Sequence, residues 1–178
     1  MKRKPNIYLI GYRCTGKSLV GRALAEALGL PFIDADDELV QTHGMTIQHI
    51  VRAQGWDGFR EKEKRVLDRI SQLHGHIVAT GGGVILSPDN ILTMRQSGTV
   101  VWLRATPATI RQRLTTDSRT QQLRPSLTSK GVDAEVEEVL KHREPLYTRA
   151  AHVTLDTDTC SVETVCLQIL AMIPDAAS

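Results

Sequence analysis

The sequence predicts an α/β fold, a parallel sheet covered by helices on both faces. Three observations lead there. Short aliphatic runs of strand length alternate with segments whose apolar residues recur at helical spacing, the pattern of βα units. Aromatic residues make up only 4% of the chain against 41% apolar residues, so aliphatic side chains must fill the core, which suits a layered α/β structure. The first aliphatic run, Ile7-Tyr8-Leu9-Ile10, leads without a spacer into Gly11-Tyr12-Arg13-Cys14-Thr15-Gly16-Lys17-Ser18 and then into a helical pattern. At 178 residues the chain has the size of one domain, expected to span 1–178, with no tandem repeat or linker.

Taken in order, Ile7–Ile10 is the first strand. Leu19, Val20, Ala23, Leu24, Ala27 and Leu28 then mark a helix that Gly29-Leu30-Pro31 ends. Phe32-Ile33 starts a short strand that delivers Asp34-Ala35-Asp36-Asp37. Thr46 is a plausible N-cap for a helix through Ile47, Ile50 and Val51, and a polar helix follows from about Asp57 to Leu73. Ile77-Val78-Ala79 reads as a buried strand opening into Thr80-Gly81-Gly82-Gly83. Pro88 to Met94 suggests a helix, Thr99 to Leu103 a buried strand, and Pro107 the first turn of another helix. Thr115 to Gln122, ending at Leu123-Arg124-Pro125, has no strong periodicity and suits a loop over a site. Asp133 to Ala150 is mostly helical, His152 to Leu155 is a last strand, and Val162 to Met172 is the terminal helix.

Several function classes find no support. Basic and acidic residues nearly balance, 22 against 20 for a net +2, and the basic ones are dispersed without interleaved aromatics, so no nucleic-acid partner is expected. Lys2-Arg3-Lys4 precedes an apolar run of four residues, too short for a signal peptide, and no run approaches membrane-spanning length. Cys14, Cys160 and Cys166 are too few and too scattered for a disulfide framework or a thiolate metal site, and point to a reducing cytoplasm. The six histidines form no metal-binding pattern.

The chemistry is concentrated where the strands end, beyond which ligands of such sheets gather. Residues 11–18 match G-x-x-x-x-G-K-S/T in the strand–loop–helix context that makes this motif a phosphate cradle. Lys17 would reach the β and γ phosphates, and Ser18 would place its hydroxyl on Mg²⁺. If the chain is still extended past Asp34, the carboxylates of Asp34 and Asp36 point the same way; the competing role for this acidic cluster is to cap a helix. Asp34 would order metal-bound water or handle a hydroxyl proton, and Asp36 would accept a hydrogen bond from a substrate hydroxyl. Arg60, with Glu63 three residues on, and Arg143, with Tyr147 one turn away, are candidate receptors for a carboxylate or phosphate. Gly81, Gly82 and Gly83 would let a substrate approach the backbone. Arg119 and Arg124 would swing over the phosphates, and Arg113 would flank the adenine.

Together these residues resemble shikimate kinases, small P-loop enzymes related to nucleoside-monophosphate kinases. The resemblance runs from Ile7 to about Ile173. It rests on Gly11–Ser18, Phe32-Ile-Asp-Ala-Asp36, Gly58-Phe-Arg60, Thr80-Gly-Gly-Gly83, Leu123-Arg-Pro125 and Arg143-Glu-Pro-Leu-Tyr147. It implies a P-loop three-layer fold with a five-stranded parallel sheet of order 2-3-1-4-5, a helical substrate-binding region at about 34–61 and a lid at about 114–126. It implies ATP-dependent phosphorylation of the shikimate 3-hydroxyl, with Mg²⁺ as cofactor, in the shikimate pathway of aromatic amino-acid biosynthesis. Gly11, Cys14, Thr15, Gly16, Lys17, Ser18, Leu19, Arg113 and Arg124 would surround ATP, with Lys17, Asp34 and Arg124 catalytic. Asp36, Arg60, Gly81, Gly82, Gly83 and Arg143 would bind shikimate, and Ser18 with Asp34, through water, the metal. The expected protein is a cytoplasmic monomer whose partners are shikimate and ATP. Relatives usually carry glycine where Cys14 stands, a change that is harmless if the position avoids positive φ. The stretch before Leu123 also looks longer than in many of them.

Overall fold

The computed structural model describes residues 4–116 and 132–173. Five parallel strands, β1 (Asn6–Ile10), β2 (Phe32–Asp34), β3 (Ile77–Ala79), β4 (Gly98–Arg104) and β5 (Val153–Asp156), form a sheet of order β2-β3-β1-β4-β5. This is the expected topology. Strand β1 lies between β3 and β4, with Leu9 paired to both Ala79 and Val101. The chain leaves β1 toward one edge and later returns to the other side. That reversal opens a crevice beyond the carboxyl end of β1, where the Gly11–Gly16 loop begins.

Seven helices are described: α1 (Lys17–Leu28), α2 (Ala35–His43), α3 (Ile47–Ser71), α4 (Pro88–Ser97), α5 (Pro107–Thr116), α6 (Val132–Ala150) and α7 (Val162–Met172). Alternation along β1 divides the core into two layers. Tyr8 and Ile10 pack with Ile50, Phe59, Leu67, Met94 and Tyr147 on one face. Ile7 and Leu9 pack with Val20, Leu24, Val165 and Ile169 on the other. The dominance of aliphatic side chains in both layers follows from the composition. Among the described residues, no helix is long and apolar enough to cross a membrane.

Local signals set most boundaries. Helix α1 ends at Gly29, whose φ of 61° places it in the left-handed conformation typical of helix ends. The Thr46 hydroxyl accepts the His49 N–H at 3.2 Å and starts α3. Gly55, at φ 70° and ψ −179°, breaks α3 internally, so the two expected helices exist as arms of one bent element. The lid expected at about 114–126 lies largely outside the described residues, as do Arg119 and Arg124.

One buried polar residue ties the site-bearing helix to the sheet. Asn6 donates from Nδ2 to the carbonyls of Ile70 (3.3 Å) and Leu73 (2.9 Å), and its Oδ1 accepts the His76 N–H at 3.0 Å. The end of α3 and the entry to β3 are thereby fixed to β1. Across the sheet Asn6 pairs with Gly98, where a Cβ would stand 2.1 Å from the Asn6 backbone oxygen. Backbone of two paired strands cannot yield as a side chain can. Gly98→Ala is expected to destabilise the fold by about 2 kcal/mol, the scale of an overpacked core. A urea midpoint equal to that of the parent protein would show that the strand ends part without cost.

Candidate active site

The phosphate loop is wound tightly enough to require its glycines. A Cβ on Gly11, at φ 145°, would lie 2.4 Å from the Leu103 carbonyl oxygen and 2.8 Å from Thr15 Oγ1. The Thr15 hydroxyl donates to the Tyr12 carbonyl at 2.9 Å and closes the turn. Cys14 departs from expectation. It adopts φ 58°, the left-handed region, so the condition under which a cysteine would be harmless here is not met. A side chain there costs about 1–2 kcal/mol relative to the right-handed conformation.

Lys17 folds back over its own loop, its Nζ donating to the carbonyls of Gly11 (2.9 Å) and Tyr12 (2.7 Å). The Ser18 hydroxyl donates to Asp34 Oδ2 at 2.7 Å, while Asp34 Oδ1 accepts the Asp36 N–H at 3.1 Å. Asp34 is therefore both a neighbour of Ser18 and the N-cap of α2. The expected extended geometry fails, because Ala35 already begins α2, and the alternation argument does not apply across it. Capping wins locally because it satisfies a helix N–H, and Asp36, Asp37 and Glu38 suit the positive end of the helix dipole. Asp34 and Asp36 nevertheless border one cleft of about 810 Å³, together with Lys17, Ser18 and Thr15.

Arg113, expected beside the nucleotide, lines the same cleft, but the partners that hold it were not legible beforehand. Arg113 donates to the Cys14 carbonyl and to Thr157 Oγ1, both at 3.2 Å, and to the Thr157 carbonyl at 2.5 Å. It thus fastens α5 to the phosphate loop and to the segment after β5. Cys160, Val162 and Val165 line the same cleft, as does Leu19, which is otherwise exposed.

A second, much smaller cavity of about 30 Å³ adjoins it, lined by residues of α2, α3, α6 and the glycine run. Beyond the bend at Gly55, α3 presents Arg60 and Glu63, whose Nη1 and Oε2 are 2.6 Å apart. The Arg60 guanidinium lies 4.9 Å from the centre of the Phe59 ring, and Trp56 meets Phe59 edge to face. Glu63 is buried and its Oε1 has no hydrogen-bond partner. Burial pushes its carboxyl above the usual range, against the downward pull of Arg60. From α6, Arg143 Nη1 and Tyr147 Oη both donate to the Gly82 carbonyl, at 3.1 and 2.5 Å. Tyr147 is held flat against Trp102, ring centres 5.4 Å apart.

The glycine run is explained by space rather than by dihedral angle. None of Gly81, Gly82 and Gly83 has a positive φ. A Cβ on Gly81 would lie 2.5 Å from Glu63 Oε1, one on Gly83 2.2 Å from Arg60 Nη2, and one on Gly82 3.3 Å from the Gly11 carbonyl oxygen. The room left by the missing side chains is occupied by Arg60 and Glu63 themselves.

Every proposed site residue within the described range except Gly11 thus lines one of two adjoining clefts. Sequence reading missed Arg13 and Glu135, whose Nη1 and Oε1 are 3.7 Å apart with both side chains largely buried. Arg13 occupies an unspecified position of the loop motif, and its partner comes from a distant helix, so no sequence spacing announces the pair. Among the described residues, no group of three or more His, Cys, Asp or Glu could hold a metal ion. Ser18 and Asp34 remain as adjacent oxygen donors facing the large cleft.

Known proteins resemble the chain along nearly its whole length. The profile of the family described as shikimate kinase matches residues 13–174. The chain is 43% identical to shikimate kinase 2 of Sodalis glossinidius over 173 residues, 97% of this chain and 98% of that protein. Its structure superimposes on shikimate kinase from Acinetobacter baumannii in complex with shikimate with a TM-score of 0.88 at 36% identity, covering 96% of this chain and 93% of the other. Shikimate kinase from Bacteroides thetaiotaomicron gives a TM-score of 0.85 at 28% identity, with coverages of 96% and 98%.

Replacing Cys14 with glycine is expected to raise stability by about 0.5–1 kcal/mol, since relief of the left-handed side chain outweighs the extra freedom glycine has when unfolded. An unchanged or lower denaturation midpoint would mean that the loop holds Cys14 without strain.

Proposed function

The chain belongs to the shikimate kinase family, and from that premise we propose that it transfers the γ-phosphoryl group of ATP to the 3-hydroxyl of shikimate. The products are ADP and shikimate 3-phosphate, a step toward the aromatic amino acids. The observation that carries this reading is the small cleft. Arg60 and Arg143 stand beside the glycine run while Asp36 borders both this cleft and the one containing the phosphate loop. A hydroxylated ring bearing a carboxylate suits that order of charges: guanidinium groups for its anionic end, and a carboxylate acceptor for its hydroxyls.

In this reading the whole chain works as one kinase unit. The region 34–61 holds the acceptor, while the expected lid at about 114–126 lies largely outside the described residues. Lys17 exchanges its two loop carbonyls for phosphate oxygens, helped by the loop N–H groups and the N-terminus of α1. Gly11, Cys14, Thr15, Gly16 and Leu19 line the nucleotide, and Arg113 borders the adenine. Arg60 and Arg143 take the acceptor carboxylate, Gly81 to Gly83 face the ring, and Asp36 accepts a hydrogen bond from the reacting side. Ser18, directly, and Asp34, through water, fit Mg²⁺, a hard cation that takes oxygen ligands and keeps several waters. When bound, that ion neutralises phosphate charge. Asp34 orients more than it deprotonates, because a loose phosphoryl transition state asks little of a base.

A coupled ADP-release assay with shikimate, quinate, gluconate and nucleoside monophosphates side by side is expected to show a clear preference for shikimate. Gluconate turned over as fast would overturn the assignment. Arg60→Ala should raise KM for shikimate roughly 10- to 100-fold while leaving KM for ATP nearly unchanged, the cost of a charged hydrogen bond. Equal losses for both substrates would remove Arg60 from the acceptor site. Lys17→Met should lower kcat by at least about 100-fold, and near-normal turnover would contradict its role.

A further inference from the structure

Among the described residues only three, Arg13, Asp36 and Ile47, line both clefts. A phosphoryl group passing from nucleotide to acceptor must cross between them. Of the three, Arg13 alone is a cation. Lys17 lies on the nucleotide side, while Arg60 and Arg143 lie on the acceptor side.

Arg13 is fixed at this crossing by its neighbours. Its side chain is 12% exposed and pairs with Glu135 of α6, itself 6% exposed. Tyr12, the preceding residue, is buried in a cluster with Ile110 of α5 and Val136 and Leu140 of α6. The Tyr12-Arg13 pair therefore docks the loop onto α6 by an apolar contact and a charge pair side by side. A staple alone would not need the charges, since burying an ion pair gains little over apolar residues of similar size.

We propose that Arg13 is a further catalytic residue, its guanidinium contacting the phosphoryl group in transit, and that Glu135 is the positioning residue that aims it. This rests on the kinase reading above. Negative charge spreads over the equatorial oxygens of the transferred group in the transition state, and a cation fixed at the crossing meets that charge most fully there. Interactions made mainly in the transition state appear in kcat rather than in KM.

The test uses the full-length enzyme with shikimate and ATP. Arg13→Ala is expected to lower kcat by about 100-fold with each KM changed less than about 3-fold, as for other preorganised charge-stabilising groups. Binding of ADP and of shikimate should persist, whereas binding of the ADP–aluminium fluoride–shikimate mimic should weaken in proportion to kcat. Arg13→Lys should recover part of the rate. Glu135→Gln should lower kcat by several-fold in the parent enzyme and by nothing further in Arg13→Ala, the non-additivity expected of residues that act together. Unchanged kcat with a raised KM for shikimate would overturn the proposal by making Arg13 a third member of the carboxylate clamp. Unchanged kcat with a lowered melting temperature would overturn it by making the pair a staple. Should Arg13→Ala fail to fold, Arg13→Lys and Arg13→Gln decide the question by the same split between kcat and KM. A parent enzyme that does not phosphorylate shikimate removes the kinase reading itself; an active parent with a fully active Arg13→Ala removes only this proposal.

Discussion

The close approach of the chain at Gly81-Gly82-Gly83 is the constraint on which the rest of the site depends. Here the exit of β3 meets two other elements: a Cβ on Gly81 or Gly83 would run into the Glu63 or Arg60 side chain of α3, and one on Gly82 would press within 3.3 Å of the Gly11 carbonyl oxygen of the phosphate loop. The carbonyl of Gly82 then receives two donors from α6, Arg143 and Tyr147. One tripeptide thereby sets how far the nucleotide end lies from the acceptor end. Phosphoryl transfer is sensitive to that separation, because most of its acceleration comes from positioning and fixed charge.

The site is costly to the fold that carries it. Lys17, Asp36, Glu63, Glu135 and Arg143 are all largely buried, and Glu63 Oε1 has no partner. Buried charges lose hydration that pairing only partly returns, and an orphaned buried acceptor costs about 1–3 kcal/mol. Apolar replacements would give a firmer domain and no receptor for anions. The two largely aliphatic layers that flank the sheet offset this.

Much of the fold was legible because its central strands are buried on both faces. Strands β1, β3 and β4 therefore appear as short, mostly aliphatic apolar runs bounded by glycine or polar residues. Periodicity gave parallel strands but not their order, which came from the family resemblance. Helix α2 entered only as what the acidic cluster would cap, because it spans nine residues, opens with three acidic positions in its first turn, and has Leu39 as its only large buried apolar side chain. The phosphate loop was readable from local sequence, since its function needs a fixed spacing. Arg13 with Glu135, and Arg113 with Thr157, were not, because tertiary folding alone brings those partners together. The glycine run was noticed, but its reason was not: the crowding comes from side chains about twenty residues earlier, on α3.

The smallness of the acceptor cavity has a consequence for thrift. With Arg60 and Glu63 filling the space beside the glycines, about 30 Å³ remains, room for one or two waters. Water is the rival acceptor that every kinase must refuse, since a stray molecule in line with the γ-phosphorus discards the nucleotide for nothing. A chamber that its own side chains keep nearly full admits few such molecules while idle. The Arg60–Glu63 ion pair that shapes the chamber therefore also limits how much water it holds.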